Sequence, residues 1–244
     1  MNRQIFRYLT VVTIAIAVAF TSCQKDDNDK TKFLETVTYP SGEYYKYEYD
    51  SQNRITKWSR YNNSGELIQT STLTYSGNDL VKEVYNSAIL YEYTKSGNKI
   101  TSILSSDVVQ TWDLNSDGQL VKYVGEIVGN SQVKEYLYQN GNIVEFNYVY
   151  NYAEGGTFEH INEYKYDDKK SPMSNCTTPQ WYLIYAFQEI STTNNMTEEK
   201  WIFDWKIETY EYEYEYDSDG YPTKRTITHS NGSKAVTEYV YKKL

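Results

Sequence analysis

The chain is poor in the residues that carry most enzyme chemistry. It contains two histidines, His160 and His229, among 244 residues. The sequence shows no Cys/His cluster with metal-ligand spacing, no Ser/His/Asp arrangement and no Gly-x-Ser-x-Gly nucleophile elbow. It therefore predicts no catalytic residue, no cofactor and no bound metal, and we expect a protein that is not an enzyme.

Long hydrophobic runs are also scarce, and the one at the N terminus is short. Leu9–Phe20 is an apolar run of 12 residues that follows a basic stretch with Arg3 and Arg7. A bilayer-spanning helix needs about 20 apolar residues, whereas this length is typical of the hydrophobic part of a signal peptide. We therefore interpret residues 1–22 as a signal peptide.

Basic residues are fewer than acidic residues in the chain as a whole. Lys and Arg number 24 against 33 Asp and Glu, a net charge of −9. Without residues 1–22, which hold two arginines and no acid, 22 basic residues face 33 acidic ones and the net charge is −11. Nucleic-acid backbones repel a protein of this charge, so we exclude nucleic acid as a partner.

The residues that end the signal peptide resemble a lipobox. Small residues precede Cys23 in the stretch Phe20–Cys23, although Phe20 departs from the usual leucine. The resemblance implies cleavage before Cys23 and lipid attachment at Cys23, hence a membrane contact through the N-terminal lipid. The alternative is an ordinary signal peptide with an incidental cysteine. If Cys23 is acylated, Cys176 is the one remaining thiol and no intramolecular disulfide forms.

A polar stretch follows the lipid cysteine. Residues 24–30 read QKDDNDK, and so polar a run is not expected to pack. We interpret residues 23–34 as a lipidated tether. Lys25–Asp27 resembles the surface-export signal of Bacteroidetes-type lipoproteins, which implies an outer-membrane protein that faces the cell exterior.

Helix-forming patterns are scarce in residues 35–244, where the repeat Tyr-x-Tyr-Asp-x-x-Gly is the dominant pattern. It occurs in full as Tyr214–Gly220, and with variations near Tyr47, Tyr91 and Tyr136, at a period of about 24 residues. Glycine supplies the positive φ of tight turns, and Tyr, Thr, Val and Ile favour strands. The sequence predicts a single all-β domain over residues 35–244, an antiparallel meander of repeated hairpins with about 14 to 17 strands.

Alternation along the strands assigns one aromatic and one polar face. Within Tyr210–Asp217, four tyrosines alternate with acidic residues. A tyrosine ring can be buried while its hydroxyl still needs a partner, so such a core is open to water at its edges. We expect a curled sheet, a wide half-barrel or a barrel. Neither face of Glu66–Tyr75 is apolar enough for lipid, so we expect that it does not span the membrane.

The repeat fails between about 167 and 205, which we interpret as an irregular insertion. It contains the continuous apolar run Trp181–Phe187. Long insertions on β scaffolds often carry function, and flat aromatic rings can stack on sugars. The insertion therefore supplies candidate ligand contacts. These are Trp181, Tyr182, Tyr185, Trp201 and Trp205. The alternative is that the run 181–187 plugs or covers the curled sheet as core.

Two further patterns have ordinary explanations. Asp113–Gly118 matches the first half of a calcium loop, but Val124 stands where a bidentate glutamate is required, and the segment fits the repeat as a turn. Glu211, Glu213 and Glu215 have the spacing of paired carboxylates for glycoside hydrolysis, but a solvated strand face has the same pattern.

The Tyr-Asp-x-x-Gly units resemble degenerate YD/RHS repeats. The whole mature chain resembles uncharacterised Bacteroidetes-type surface lipoproteins with a porin-like antiparallel β fold, and Tyr166–Pro172 carries that resemblance best. The resemblance implies a fold and an address and transfers no catalytic residue.

Three functions remain open at this stage. The first is a non-enzymatic binding module for a glycan or for an outer-membrane protein partner. The second is a structural or assembly lipoprotein of the envelope, and the third is a glycan hydrolase. No feature of the sequence defines an oligomeric state.

Overall fold

A computed structural model describes residues 31–104, 108–127 and 129–244. The predictions for the signal peptide, for Cys23 and for most of the tether fall on residues 1–30 and lie outside the described residues. No helix in the described ranges is long and apolar enough to cross a membrane.

The described chain forms sixteen strands that close into one antiparallel barrel. Each strand pairs with the next one along the chain, and β1 pairs with β16 to close the barrel. The strands are β1 (Lys32–Thr38), β2 (Tyr44–Tyr49), β3 (Ile55–Tyr61), β4 (Leu67–Ser76), β5 (Asp79–Tyr85), β6 (Ile89–Ser96), β7 (Lys99–Leu104), β8 (Val108–Leu114), β9 (Leu120–Ile127), β10 (Asn130–Gln139), β11 (Asn142–Asn151), β12 (Thr157–Tyr166), β13 (Met196–Phe203), β14 (Lys206–Tyr216), β15 (Pro222–Thr228) and β16 (Lys234–Lys243). The predicted all-β meander of hairpins is confirmed, and of the three expected shapes the closed barrel is the one observed.

Two boundaries differ from the sequence interpretation. The barrel begins at Lys32, inside the segment 23–34 interpreted as tether, because Leu34 is buried and pairs with Tyr241 of the last strand. The segment 167–205 is not irregular throughout. It contains a helix, α1 (Gln180–Ser191), and the regular barrel strand β13.

The turns that end the tyrosine-repeat units lie at one end of the barrel, because consecutive units are separated by one hairpin. We call this the repeat-turn end; it holds the β2–β3, β4–β5, β6–β7, β8–β9, β10–β11 and β14–β15 turns. In the last of these, Asp217 Oδ1 accepts hydrogen bonds from the backbone N–H groups of Asp219 (2.9 Å) and Tyr221 (2.9 Å), and Gly220 adopts φ +80°. The aspartate and the glycine of the repeat thus each have a defined part in the turn.

The second tyrosine of the repeat ties neighbouring hairpins together. The Tyr75 hydroxyl on β4 donates to the Ile55 carbonyl on β3 at 2.7 Å. Equivalent bonds of 2.7–2.8 Å recur around the barrel, from Tyr49 to Leu34, Tyr138 to Leu120, Tyr166 to Ile143 and Tyr241 to Pro222. Each of these partly buried tyrosines thus satisfies its hydroxyl with a hydrogen bond to the preceding strand, at the end where the two strands are not joined by a turn.

The outer face of the barrel carries cross-strand ion pairs. Six such pairs lie on adjacent strands among the described residues: Lys57–Glu48, Lys99–Asp113, Lys122–Glu135, Lys165–Glu198, Lys200–Glu163 and Lys224–Glu215. Between them, inward-facing residues such as Tyr123, Tyr164 and Tyr212 are buried. The predicted aromatic and polar faces are thus the inside and the outside of the wall.

Helix α1 lies inside the barrel. Trp181 packs on Tyr93 of β6, with ring centroids 5.2 Å apart, and Phe187 packs on Tyr47 of β2 at 5.4 Å. Gln188 Nε2 donates to the hydroxyl of Tyr164 on β12 at 3.0 Å. A helix that touches strands on several sides of a closed barrel occupies its lumen, so the alternative in which the 181–187 run serves as core is the arrangement observed.

Candidate functional site

The segment 167–195, which we call the plug, is attached at both of its ends to the repeat-turn end of the barrel. On one side, Thr178 Oγ1 accepts from the Ile55 N–H at 2.8 Å. On the other, the Asn194 N–H donates to Asn142 Oδ1 on β11 at 2.9 Å. The Asn195 N–H donates to Asp167 Oδ1 at 3.0 Å, which joins the two ends of the plug to each other. These bonds fix the plug across this end and leave the rest of the lumen above the helix.

A buried carboxylate holds the helix to the wall. Glu83 on β5 accepts hydrogen bonds from the hydroxyls of Tyr182 (2.9 Å), Tyr93 (2.7 Å) and Ser71. Trp58 Nε1 in turn donates to the Tyr182 hydroxyl at 3.1 Å. This network links α1 to β3, β4, β5 and β6, and it satisfies a carboxylate that is 6% exposed.

A second charged contact holds the C-terminal half of the helix. Arg225 on β15 is 1% exposed and donates from Nη2 to Glu189 Oε2 at 2.9 Å. The Glu189 side chain itself is 59% exposed, and Ala186, which precedes a kink of the helix at Phe187, is also exposed. Exposed residues on a helix inside a barrel show that water reaches the lumen.

The space above the helix forms a chamber of two adjoining lobes, which we call the luminal chamber. The first lobe measures about 360 Å³ and the second about 310 Å³. Both are bounded by Tyr45, Lys134 and the helix segment Tyr185–Phe187. Each lobe has the size of a small-ligand pocket, for which about 300–1,000 Å³ is usual.

One wall of the chamber is a continuous series of aromatic rings. His160 on β12 and Trp201 on β13 stack face to face, with centroids 5.5 Å apart and planes 7° from parallel. Phe203 follows Trp201 at 5.9 Å, and Trp205, in the β13–β14 turn, stacks on Phe203 at 5.3 Å. We call His160, Trp201, Phe203 and Trp205 the aromatic ribbon. It leads from the first lobe to the rim, where Trp205 is 65% exposed.

Polar groups lie within and beside the aromatic ribbon in the first lobe. Burial raises the pKa of Glu199, which accepts hydrogen bonds from the Tyr212 hydroxyl at 2.7 Å and from Asn162 Nδ2 at 2.9 Å. Burial lowers the pKa of His160, so its imidazole is neutral at pH 7, and its Nδ1 makes no hydrogen bond with the described residues. The lobe thus offers acceptors and donors beside flat apolar rings.

Lys134 on β10 lies where the two lobes meet. Its ammonium group is 5.6 Å from the ring centroid of Tyr123 and 5.8 Å from that of Tyr185. Burial lowers its pKa, and it makes no ion pair or hydrogen bond with any described residue. It is therefore a partly buried cation held by ring faces alone.

The structure distributes the five predicted ligand-contact residues between core, chamber and rim. Trp181 and Tyr182 are buried, at 4% and 1% exposure, and pack on the barrel wall. Tyr182 also lines the second lobe, Tyr185 lines both lobes, Trp201 lines the first, and Trp205 lies at the rim. Ligand contact by these residues stays a prediction, and the geometry favours the last three for it.

Sequence reasoning missed His160 and Lys134 as parts of this site. A signal was present, because both residues occupy the aromatic phase of an alternating strand. Lys134 lies on the same side of its strand as Tyr136 and Tyr138, and His160 lies on the same side as Phe158. A charged or polar residue in the inward phase of a tyrosine-rich strand points to the lumen.

The two patterns with ordinary explanations lie away from the chamber. Glu211, Glu213 and Glu215 are exposed on the outer face of β14, and Glu215 pairs with Lys224 at 2.7 Å. The calcium-like stretch is the β8–β9 turn, in which Asn115 Oδ1 accepts from the N–H groups two and four residues further on. Neither contributes a group to the luminal chamber.

Two solved structures resemble this chain in fold. A porin-like protein from Bacteroides uniformis ATCC 8492 aligns with a TM-score of 0.39 and 13% identity, over 86% of this chain and 98% of its own. A porin-like protein from Bacteroides vulgatus ATCC 8482 aligns with a TM-score of 0.46 and 12% identity, over 88% of this chain and 100% of its own. No family model and no curated protein matches the sequence. At these identities the likeness concerns the fold alone.

Proposed function

We propose that this protein is a lipid-anchored binding protein of the outer membrane or cell surface, which holds a glycan in its luminal chamber. The observation that carries the proposal is the aromatic ribbon, which continues from the exposed Trp205 into the first lobe at His160. Sugar rings present flat C–H faces that pack on aromatic rings, while their hydroxyls need polar partners close by. Asn162, Glu199 and Lys134 supply such partners around the first lobe.

The outer face supports an aqueous rather than a membrane-spanning barrel. A lipid-facing wall needs an apolar band around every strand. Here, ion pairs such as Lys122–Glu135 and Lys200–Glu163 lie within the strands, with N–O distances of 2.7 and 3.1 Å. The protein would then be attached to the membrane by the lipid that the lipobox resemblance implies at Cys23. Mass spectrometry of the N-terminal peptide tests this attachment directly.

Binding to an array of polysaccharides and oligosaccharides tests the proposal. We expect retention of at least one glycan and at least a tenfold loss of affinity, about 1.4 kcal/mol, in Trp201→Ala. Tyr44→Ala is the matched control, because Tyr44 stacks on Tyr61 at 4.9 Å, away from the chamber lining. Equal loss in both variants, or no retention of any glycan together with capture of one stoichiometric envelope protein, would refute luminal glycan binding and favour an assembly role.

One observation favours a second candidate, a glycan hydrolase. Glu199 and Glu189 both border the first lobe, and burial together with the nearby Glu189 charge raises the pKa of Glu199. Two carboxyls in different environments are what acid–base cleavage of a glycosidic bond uses. Against this, Arg225 already holds Glu189 and two donors hold Glu199. New reducing ends from a retained glycan, lost in Glu199→Gln, would support this candidate over simple binding.

A further inference from the structure

The charged side chains that line the luminal chamber are almost all balanced. Glu83 accepts from three hydroxyls, Glu189 pairs with Arg225, and Glu199 accepts from Tyr212 and Asn162. Lys134 is the exception among the described residues of the lining. It borders both lobes and has ring faces as its neighbours but no counter-charge.

A partly buried ammonium without a counter-charge is costly for a protein that could replace it with an apolar residue. Desolvation penalises the charged form, and two contacts with ring faces, at 5.6 and 5.8 Å from the ring centroids, recover only part of that cost. An acidic group delivered by a ligand would complete the site, since hydrogen bonds between ionised partners are about twice as strong as neutral ones.

From this arrangement, and resting on the proposed glycan function, we infer that the chamber selects an anionic saccharide, whose carboxylate or sulfate binds Lys134 while its rings pack on the aromatic ribbon. The geometry suits such a ligand because Lys134 and Trp201 border the same lobe. The acids of the outer face oppose this only weakly, because exposed charges more than about 8 Å apart are largely screened at physiological ionic strength.

Matched pairs of probes separate ring binding from charge recognition. The carboxylate pair is an oligogalacturonide and its fully methyl-esterified form, and the sulfate pair is a dextran oligomer with and without sulfate. We expect the acidic member of at least one pair to bind at least tenfold more tightly than its neutral partner. Lys134→Met should abolish this preference, and Lys134→Arg should retain most of it.

Stability measurements separate ligand recognition from a structural role of Lys134. Replacing a poorly compensated buried charge with an apolar side chain of similar length is expected to leave the melting temperature unchanged or to raise it. A lower melting temperature in Lys134→Met, with equal loss of acidic and neutral ligands, would show that Lys134 only braces the helix and would overturn the inference.

The remaining outcomes distinguish this inference from the proposed function. If both members of each pair bind equally and Trp201→Ala weakens them all, the glycan function holds and charge selection is overturned. If no member of either pair binds and the wider glycan array is also not retained, both fail.

Discussion

Alkaline pH is expected to unfold this barrel within a narrow range, because its core is built from tyrosine. Eight buried tyrosines of the described chain have a phenol whose pKa is raised by burial. They are Tyr47, Tyr93, Tyr123, Tyr136, Tyr164, Tyr182, Tyr212 and Tyr239. For Tyr239 the pKa rises to about 12.

The sign of the effect follows from proton linkage. In the unfolded chain these phenols ionise near pH 10, whereas in the folded barrel they stay protonated to higher pH. Above pH 10 the unfolded state binds fewer protons than the folded state, so raising the pH favours unfolding. The stability that burial of neutral phenols provides is therefore complete below pH 10 and is lost between pH 10 and the raised pKa values.

The magnitude is large compared with the stability of a domain. One phenol that ionises only in the unfolded state costs about 1.4 kcal/mol at pH 11, and eight cost about 11 kcal/mol. At pH 10.5 the same eight cost about 7 kcal/mol. Domains are typically stable by about 5–15 kcal/mol, so the midpoint should lie between about pH 10.3 and 11.4. Lys134, whose pKa is lowered by burial, makes stability rise with pH, but it is one group against eight tyrosines.

Absorbance at 295 nm, which reports phenolate, and far-ultraviolet circular dichroism should be followed together from pH 8 to 12. We expect the phenolate signal of the buried tyrosines to appear in one cooperative step that coincides with loss of the β-sheet spectrum. A gradual rise of phenolate through pH 10–11 with the β-sheet spectrum intact would show that these phenols are not held neutral by burial.

Three substitutions test other parts of the structure by denaturant unfolding. Tyr75→Phe removes the bond to the Ile55 carbonyl and should cost about 0.5–1.5 kcal/mol, whereas Tyr44→Phe on the outer face should cost less than 0.5; equal costs would contradict a special role of the inter-hairpin bonds. Gly125→Ala places a Cβ 2.8 Å from the Tyr123 ring carbon Cζ and should cost about 1–3 kcal/mol, and an unchanged midpoint would show that the ring moves freely. Glu83→Ala leaves three hydroxyls without their acceptor and should cost roughly 2–5 kcal/mol while exposing α1 to protease; resistance equal to that of the wild type would mean that the plug is held elsewhere.

The strands and turns were predictable because their signals are local. The Asp-x-x-Gly sequence predicts a tight turn, and the strict alternation in Tyr210–Asp217 predicts which face of the strand is buried. Closure was not predictable in the same way, since it depends on pairing between Leu34 and Tyr241, at opposite ends of the chain. A period near 24 residues is equally compatible with an open sheet and a closed one.

The helix was missed because its sequence is ambiguous. Trp181–Tyr185 contains three aromatic residues and one β-branched residue, which favour strands, whereas Leu183, Ala186, Gln188 and Glu189 favour a helix. The decisive factor is tertiary, because the lumen offers aromatic surfaces on several sides, on which the helix buries residues such as Trp181, Tyr182 and Phe187. The candidate site was predictable only in part. The insertion indicated the right region, but Lys134 and His160 come close to it only when the barrel closes.

The most direct test of luminal binding is to fill the chamber from its floor. Ala186 is exposed on α1 and borders both lobes, so Ala186→Trp adds a bulky ring inside the chamber without altering the wall or the outer face. Calorimetric titration with the best-retained glycan should show binding to the wild type and to Tyr44→Ala, and at least a tenfold loss in Ala186→Trp with the melting temperature unchanged. Undiminished binding by a folded Ala186→Trp variant would contradict the account, because the ligand would then lie outside the lumen.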